Sequence, residues 1–160
     1  ESELDLNDAL NALIAHEANQ GWPLYILIVM ADLALLTQDD VMGILSCKGD
    51  VVLSPGRGGG TNMILIRAPK FRTRYQGLSF PKHLAFARQA GLKVSVYESF
   101  RAGCDIDEPE DLAEVLLHGQ GRARVLLENM GLSLSEKGRK PGGKSPLIRR
   151  AAPSDSQTRT

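Results

Sequence analysis

The residues best suited to chemistry stand in the segment 103–112, which contains Asp105 and Asp107. If the chain is extended there, carboxylates two positions apart point to the same face. Two such charges repel each other, and a hard divalent cation such as Mg2+ between them would relieve the repulsion. The segment also has the pattern of a helix start, with Pro109 at a first helical position and Glu108 or Asp107 as the cap. Its own residues leave both interpretations open.

The elements around this segment alternate between strands and helices. Apolar runs predict strands at residues 24–30, 50–54, 61–67 and 93–97. Helical spacing predicts helices at residues 4–18, 37–46, 79–90, 109–118 and 122–130. This alternation indicates an α/β fold with a three-layer, mostly parallel sheet.

Such a sheet would bring distant carboxylates to one edge. Asp32 comes just after the predicted strand 24–30, and Asp105 and Asp107 follow the predicted strand 93–97. Ligands of open α/β sheets bind at the carboxyl ends of the strands. Because three carboxylates at one edge are hard to explain as helix caps alone, the sequence favours a divalent cation site at Asp32, Asp105 and Asp107.

A glycine-rich loop at residues 55–60 joins two predicted strands and ends at Thr61. It matches neither the GxxxxGK[ST] pattern of a P-loop nor the GxGxxG pattern of a dinucleotide site. Its backbone N–H groups could receive a bulky anion, with the Thr61 hydroxyl as a further donor. The alternative is a flexible hairpin loop, and the residues do not decide between the two.

A second candidate anion site lies at the start of the predicted helix 79–90. Gly77 and Ser79 stand at its beginning, and a helix N-terminus with these residue types is suited to an anion. The nearby bases could serve a phosphorylated or carboxylated substrate, or could form a solvated face. These residues are Lys70, Arg72, Arg74, Lys82 and His83.

Composition places these features in one folded domain with a tail. The chain has 160 residues, 42% of them hydrophobic, which is enough for one core. From residue 135 onward seven bases accompany two acids, so we predict a folded domain at 1–134 and a disordered basic tail at 135–160. The remaining 134 residues carry twelve bases and seventeen acids, which argues against a nucleic-acid-binding surface.

The cysteines and apolar runs bear on the compartment. Cys47 and Cys104 fit no metal spacing and are too few for a disulfide framework, which favours a reducing cytoplasm. The longest apolar run, residues 25–36, is interrupted by Asp32 and is too short to span a bilayer. We therefore expect a cytoplasmic protein without a membrane partner.

Four strings, in this order and at these separations, resemble the 2-phospho-L-lactate guanylyltransferases of coenzyme F-420 biosynthesis: IVMADLALL, PGRGGGTNMI, YQGLSFPKHLAFA and GCDIDEPEDLAEVLLHG. The resemblance covers about residues 4–131. It implies a nucleotide-diphospho-sugar transferase fold, which is glycosyltransferase-A-like and Rossmann-type. It also implies an enzyme that joins GTP to a phosphorylated three-carbon acid and releases pyrophosphate. That acid is 2-phospho-L-lactate, or phosphoenolpyruvate or 3-phospho-D-glycerate in relatives.

The resemblance also implies roles for individual residues. The ligands of Mg2+ would be Asp32, Asp105 and Asp107. The residues that contact the phosphate or carboxylate of the substrate would be Thr61, Gly77 and Ser79. The expected partners are GTP and the phosphorylated acid, and a homodimer is left open.

The chain departs from the family pattern in two places. Ala34 stands where the family usually has a proline, and the family's first strand and Lys/Arg-containing loop would precede Glu1. We therefore expect a sequence truncated at its N-terminus. Two other functions stay open: a molybdopterin- or cytidylyl-type nucleotidyltransferase on the same fold, or a non-catalytic ligand-binding domain if the fragment is the whole molecule.

Overall fold

The computed structural model describes residues 5–135 and 148–150. The helices are α1 (Leu6–Gln20), α2 (Gln38–Ser46), α3 (Ser79–Gln89), α4 (Leu112–His118) and α5 (Arg122–Asn129). The strands are β1 (Ile26–Val29), β2 (Val51–Pro55), β3 (Thr61–Ile66), β4 (Val94–Val96), β5 (Leu132–Leu134) and β6 (Ile148–Arg150). A 3-10 turn, Pro109–Asp111, precedes α4. None of the helices described is long and apolar enough to cross a bilayer.

The first four strands form one mixed sheet in the order β1-β3-β2-β4. Strand β3 is antiparallel to β1 and to β2, and β2 is parallel to β4. Three strands therefore run in one direction, but only one of the three neighbouring pairs is parallel. The predicted α/β class is confirmed. The sheet is mixed rather than mostly parallel because the loop between β2 and β3 is too short for a crossover and makes a hairpin.

Two apolar clusters cover the two faces of this sheet, which gives the predicted three layers. On one face Ile64 and Ile66 of β3 pack with Ile14 of α1 and Ala87 of α3. On the other face, the alternate β3 residues Met63 and Leu65 pack with Ile44 of α2. Every residue of β3 is buried, as expected for an uninterrupted apolar strand with helices on both sides.

The start of α2 holds the chain that follows β4. Thr37 caps α2 and forms a capping box with Asp40. The Asp40 carboxylate also accepts hydrogen bonds from Ser99 Oγ at 2.5 Å and from Tyr97 Oη at 3.3 Å. A buried carboxylate therefore fixes the segment that leads from the sheet toward Asp105.

The chain divides into two compact units between Asp105 and Ile106, so the predicted domain 1–134 contains one unit and part of the next. In the second unit, β5 pairs with β6 in antiparallel register, and Leu134 lies opposite Ile148. Residues 148–150 are therefore a strand within the segment predicted to be a disordered tail. Average composition does not record that Ile148 and the two arginines after it pair with β5. The rest of the predicted tail lies outside the described residues, except Ser135.

Candidate functional site

One edge of the sheet gathers most of the predicted site. Strands β1, β2 and β4 all end at this edge, and β3, which runs the opposite way, begins there. Asp32 lies in an exposed turn after β1, and Asp105 is half-buried in the segment after β4. Both carboxylates therefore follow strands that end at a shared edge, and their role as metal ligands stays a prediction.

Asn62, which the sequence analysis did not single out, connects the two sides of this edge. Its backbone carbonyl accepts the Met30 N–H at 3.0 Å, at the end of β1. Its side-chain amide donates to the Ala102 carbonyl at 3.0 Å and lies 3.5 Å from Asp105 Oδ1. Asn62 is buried, and its hydrogen bonds hold the chain around Asp105 in place.

The glycine loop is a hairpin, and most of its backbone N–H groups donate to other backbone carbonyls. The Gly56 N–H donates to the Gly60 carbonyl, and the Gly59 N–H donates to the Gly56 carbonyl. The Arg57 N–H donates to the Gly103 carbonyl at 3.1 Å, which attaches the loop to the acidic segment. Of the two interpretations, the hairpin describes this loop, since three of its amides are already committed.

The acidic segment divides between two roles. The predicted helix start is confirmed, with Glu108 as the N-cap, Pro109 in the first turn and Asp111 completing a capping box. The exposed Asp107 belongs to the second unit, and its N–H donates to the Asp111 carboxylate at 3.1 Å. In residues 5–135 and 148–150, no three His, Cys, Asp or Glu side chains group as a metal site. The three-carboxylate site therefore stays a prediction.

A site for Mg2+ needs fewer than three protein carboxylates. Magnesium in nucleotide enzymes is usually held by one or two carboxylates together with substrate phosphates and water. Asp32 and Asp105, which follow strands that end at one sheet edge, could supply hard oxygen ligands. A cage of three protein ligands is not needed for this metal.

Thr61 and Ser79 do come together, and a buried histidine joins them. The Ser79 hydroxyl donates to Thr61 Oγ1 at 3.1 Å, and His83 Nδ1 lies 2.9 Å from the same oxygen. All three residues are buried. The Phe80 N–H, in the first turn of α3, donates to the Gly59 carbonyl, which holds the helix start against the loop.

His83 is a neutral residue of this cluster. Burial, with a smaller effect of the Arg74 charge, lowers the pKa of His83 to about 4. Its Nε2 accepts the backbone N–H of Arg74 at 2.7 Å. The ring of Tyr75 lies edge-on, with centroids 4.8 Å apart.

Three of the other bases near α3 make local contacts. Lys82 Nζ donates to the Gln76 carbonyl, and Arg72 donates to the carbonyls of Pro69 and Phe71. The Arg74 guanidinium lies 5.0 Å from the centroid of the Phe86 ring. Gly77 stands in the turn before α3 with φ of 54°, a left-handed conformation that favours glycine.

The buried His83 should make the protein sensitive to acid. Its pKa rises from about 4 in the folded state to the usual 6.5 in the unfolded chain, so the unfolded state gains a proton as pH falls through that interval. We expect the free energy of unfolding to fall by about 2 kcal/mol between pH 7 and pH 5 on account of this residue. Urea unfolding of wild type and His83→Asn at both pH values measures it, since the variant should lack this component. An equal pH dependence in both proteins would contradict the assignment.

His83 could have been found from spacing. It stands four positions after Ser79 on the same predicted helix, so both side chains lie on one helix face. Grouping it with the neighbouring bases concealed this relation. Asn62 carried no comparable signal apart from its place next to Thr61.

The comparisons with known proteins concern the family and the fold of the chain. The family model described as "Guanylyl transferase CofC like" matches residues 1–147. A solved nucleotide-diphospho-sugar transferase structure from Desulfovibrio desulfuricans G20 is similar to this chain, with a TM-score of 0.61 and 17% sequence identity. The similarity covers 80% of this chain and 60% of that one, and it confirms the predicted fold.

Two curated relatives are similar in sequence, and both are named 2-phospho-L-lactate guanylyltransferase. The protein from Methanothrix thermoacetophila is 57% identical over 135 residues, which cover 84% of this chain and 61% of that protein. The protein from Methanosarcina barkeri is 51% identical over 121 residues, which cover 75% of this chain and 56% of that protein. The chain thus spans about 60% of the length of these relatives. On the family match and these identities, the chain belongs to the CofC-like guanylyl transferase family.

Proposed function

We propose that the full-length protein is a guanylyltransferase that joins GTP to a phosphorylated three-carbon acid and releases pyrophosphate, in coenzyme F-420 biosynthesis. The observation that carries the proposal is the 57% identity to a relative named 2-phospho-L-lactate guanylyltransferase, over a segment that contains the whole sheet edge. The substrates would be 2-phospho-L-lactate, phosphoenolpyruvate or 3-phospho-D-glycerate. The cytoplasmic location stays a prediction, and a homodimer stays open.

The proposed reaction needs little covalent chemistry from the protein. A phosphate oxygen of the acid attacks the α-phosphorus of GTP, the bond to the β-phosphate breaks, and pyrophosphate leaves. The attacking oxygen is already ionised at neutral pH, so no general base is required. The protein has to bring two anions together in line and to offset their charge.

The residues divide this work between two places on the same sheet edge. We propose that Asp32 and Asp105 hold Mg2+, and Asp107 as a third ligand stays a prediction. When bound, the metal would offset negative charge on the α-phosphate and the leaving pyrophosphate. Asn62 and the hairpin loop hold the chain around Asp105.

The acid substrate is assigned to the start of α3. Thr61 and Ser79 would donate a hydroxyl hydrogen to its phosphate or carboxylate, beside the N-terminus of an eleven-residue helix. Gly77 would let the backbone of the turn before α3 approach the substrate, because glycine has no side chain. Its left-handed conformation is also strained for other residues.

A substrate panel tests this proposal. The full-length protein is incubated with Mg2+, each of GTP and CTP, and each of the three acids, and pyrophosphate is measured. We expect release that requires GTP and one of the acids and that EDTA abolishes. A preference for CTP would favour the cytidylyl alternative, and no release with any acid would reject the proposed activity.

A further inference from the structure

We propose that His83 is a positioning residue that orients the Thr61 hydroxyl, so that the Thr61–Ser79 pair presents one hydroxyl hydrogen to an oxyanion of the substrate. The inference deepens the proposed function and rests on it. The features that carry it are the two hydrogen bonds of the imidazole, the hydrogen bond between Ser79 and Thr61, and the burial of these three side chains.

The first step concerns the tautomer of the ring. The Arg74 backbone N–H donates to His83 Nε2 at 2.7 Å, so Nε2 must offer a lone pair. A neutral imidazole with an unprotonated Nε2 carries its proton on Nδ1. His83 Nδ1–H therefore donates to Thr61 Oγ1, the atom 2.9 Å away.

The second step counts the hydrogens of the two hydroxyl groups. The hydrogen bond between Ser79 Oγ and Thr61 Oγ1, which lie 3.1 Å apart, uses one of their two hydroxyl hydrogens. The histidine cannot accept the other one, because both of its ring nitrogens are already committed. Whichever hydroxyl donates within the pair, one O–H remains to be donated to another acceptor.

The third step concerns what that acceptor is. Thr61 is 2% exposed and Ser79 is 3% exposed, so a hydroxyl hydrogen there has little access to bulk water. An acceptor-only group such as a phosphate or carboxylate oxygen satisfies it, whereas a cation does not. A neutral histidine also leaves the pair without a fixed positive charge of its own. The site would then select for an oxyanion by hydrogen-bond direction.

The packing keeps the ring in this orientation. His83 is completely buried, and the rings of Phe71 and Tyr75 lie at centroid distances of 5.9 Å and 4.8 Å. Its two hydrogen bonds connect the segment before α3 with the first residue of β3. Rotation of the ring would break both bonds inside the core.

Two amide variants separate the two hydrogen bonds of the ring. In His83→Asn the amide nitrogen can replace Nδ1 as a donor to Thr61, but the acceptor for Arg74 is lost. In His83→Gln the amide oxygen can replace Nε2, but the donor to Thr61 is lost. Both variants remove the ring and therefore share the loss of its packing, and they differ in which of its two hydrogen bonds they can retain.

The measurement is calorimetric binding of 2-phospho-L-lactate, phosphoenolpyruvate and 3-phospho-D-glycerate to the full-length wild type and both variants, with GTP binding as the control. We expect His83→Gln to weaken acid binding about tenfold and His83→Asn to weaken it less than about threefold. GTP affinity should be unchanged. Nitrogen-15 NMR of histidine-labelled wild type should show His83 as the Nδ1–H tautomer at pH 7, with its signals identified by their absence in His83→Asn.

The outcomes distinguish this inference from the proposed function. Equal effects of the two variants on acid binding, or an Nε2–H tautomer, would overturn the role of His83 even if pyrophosphate is released. The expected difference between the variants, without pyrophosphate release from wild type, would support the role of His83 and reject the transfer reaction. A wild type that binds none of the acids would overturn both.

Discussion

Asp105→Asn is expected to lower kcat/KM for pyrophosphate release by on the order of a hundredfold to a thousandfold, with the fold retained. The substitution keeps the size of the side chain and an oxygen that can accept from Asn62, but removes the charge proposed to bind Mg2+. A free energy of unfolding within about 1 kcal/mol of wild type is therefore expected. Raising the Mg2+ concentration should restore part of the activity.

Asp32 offers a second test of the same metal. Asp32→Asn should reduce kcat/KM to a similar extent. If both carboxylates act on one ion, the double variant should lose little more than either single variant, because the two effects are then not additive. The matched control is Asp39→Asn, which changes an exposed carboxylate in the first turn of α2. If Asp39→Asn lowers kcat/KM as much as Asp105→Asn does, the effect comes from the loss of any negative charge and not from the loss of a metal ligand.

Thr61→Val is expected to raise KM for the acid at least about tenfold while KM for GTP stays unchanged. Valine keeps the branched shape that suits the first position of β3, but removes the hydroxyl oxygen. The buried His83 Nδ1–H then has no acceptor, and we expect the protein to lose about 1–3 kcal/mol of unfolding free energy. Steady-state kinetics and urea unfolding measure the two effects separately.

The control for this variant is Thr61→Ser, which retains the hydroxyl and the acceptor for His83. It should keep KM for the acid within about threefold of wild type, because the hydrogen bonds are preserved and only a methyl group is lost. Similar KM values for Thr61→Val and Thr61→Ser would argue against substrate recognition by this hydroxyl.

The sheet edge was predictable because it follows from local patterns. Apolar runs gave each strand of the first sheet to within two residues, and the rule that ligands lie at the carboxyl ends of strands assigned Asp32 and Asp105 to the same edge of the sheet. The direction of β3 was missed because the alternation of strands and helices was taken to indicate a mostly parallel sheet. The loop at residues 55–60 is too short for a crossover, and it closes the hairpin that the sequence had left open as an alternative.

His83 shows a different limit of sequence reasoning. A count of nearby bases treats histidine as one more surface charge, whereas burial against Phe71 and Tyr75 makes it neutral. Burial depends on contacts between distant segments, which composition does not record. For the same reason the pairing of Ile148 with Leu134 was missed when the tail was judged by its average content of charged residues.

The central claim is the transfer of a guanylyl group, and the identity of the product tests it most directly. Phosphorus-31 NMR should follow the full-length protein with GTP, Mg2+ and each acid in turn. We predict two mutually coupled signals from a new diphosphate that joins guanosine to the three-carbon acid, one phosphorus from GTP and one from the acid, together with free pyrophosphate. GTP that stays intact, or that is only hydrolysed while every acid is recovered unchanged, would contradict the account.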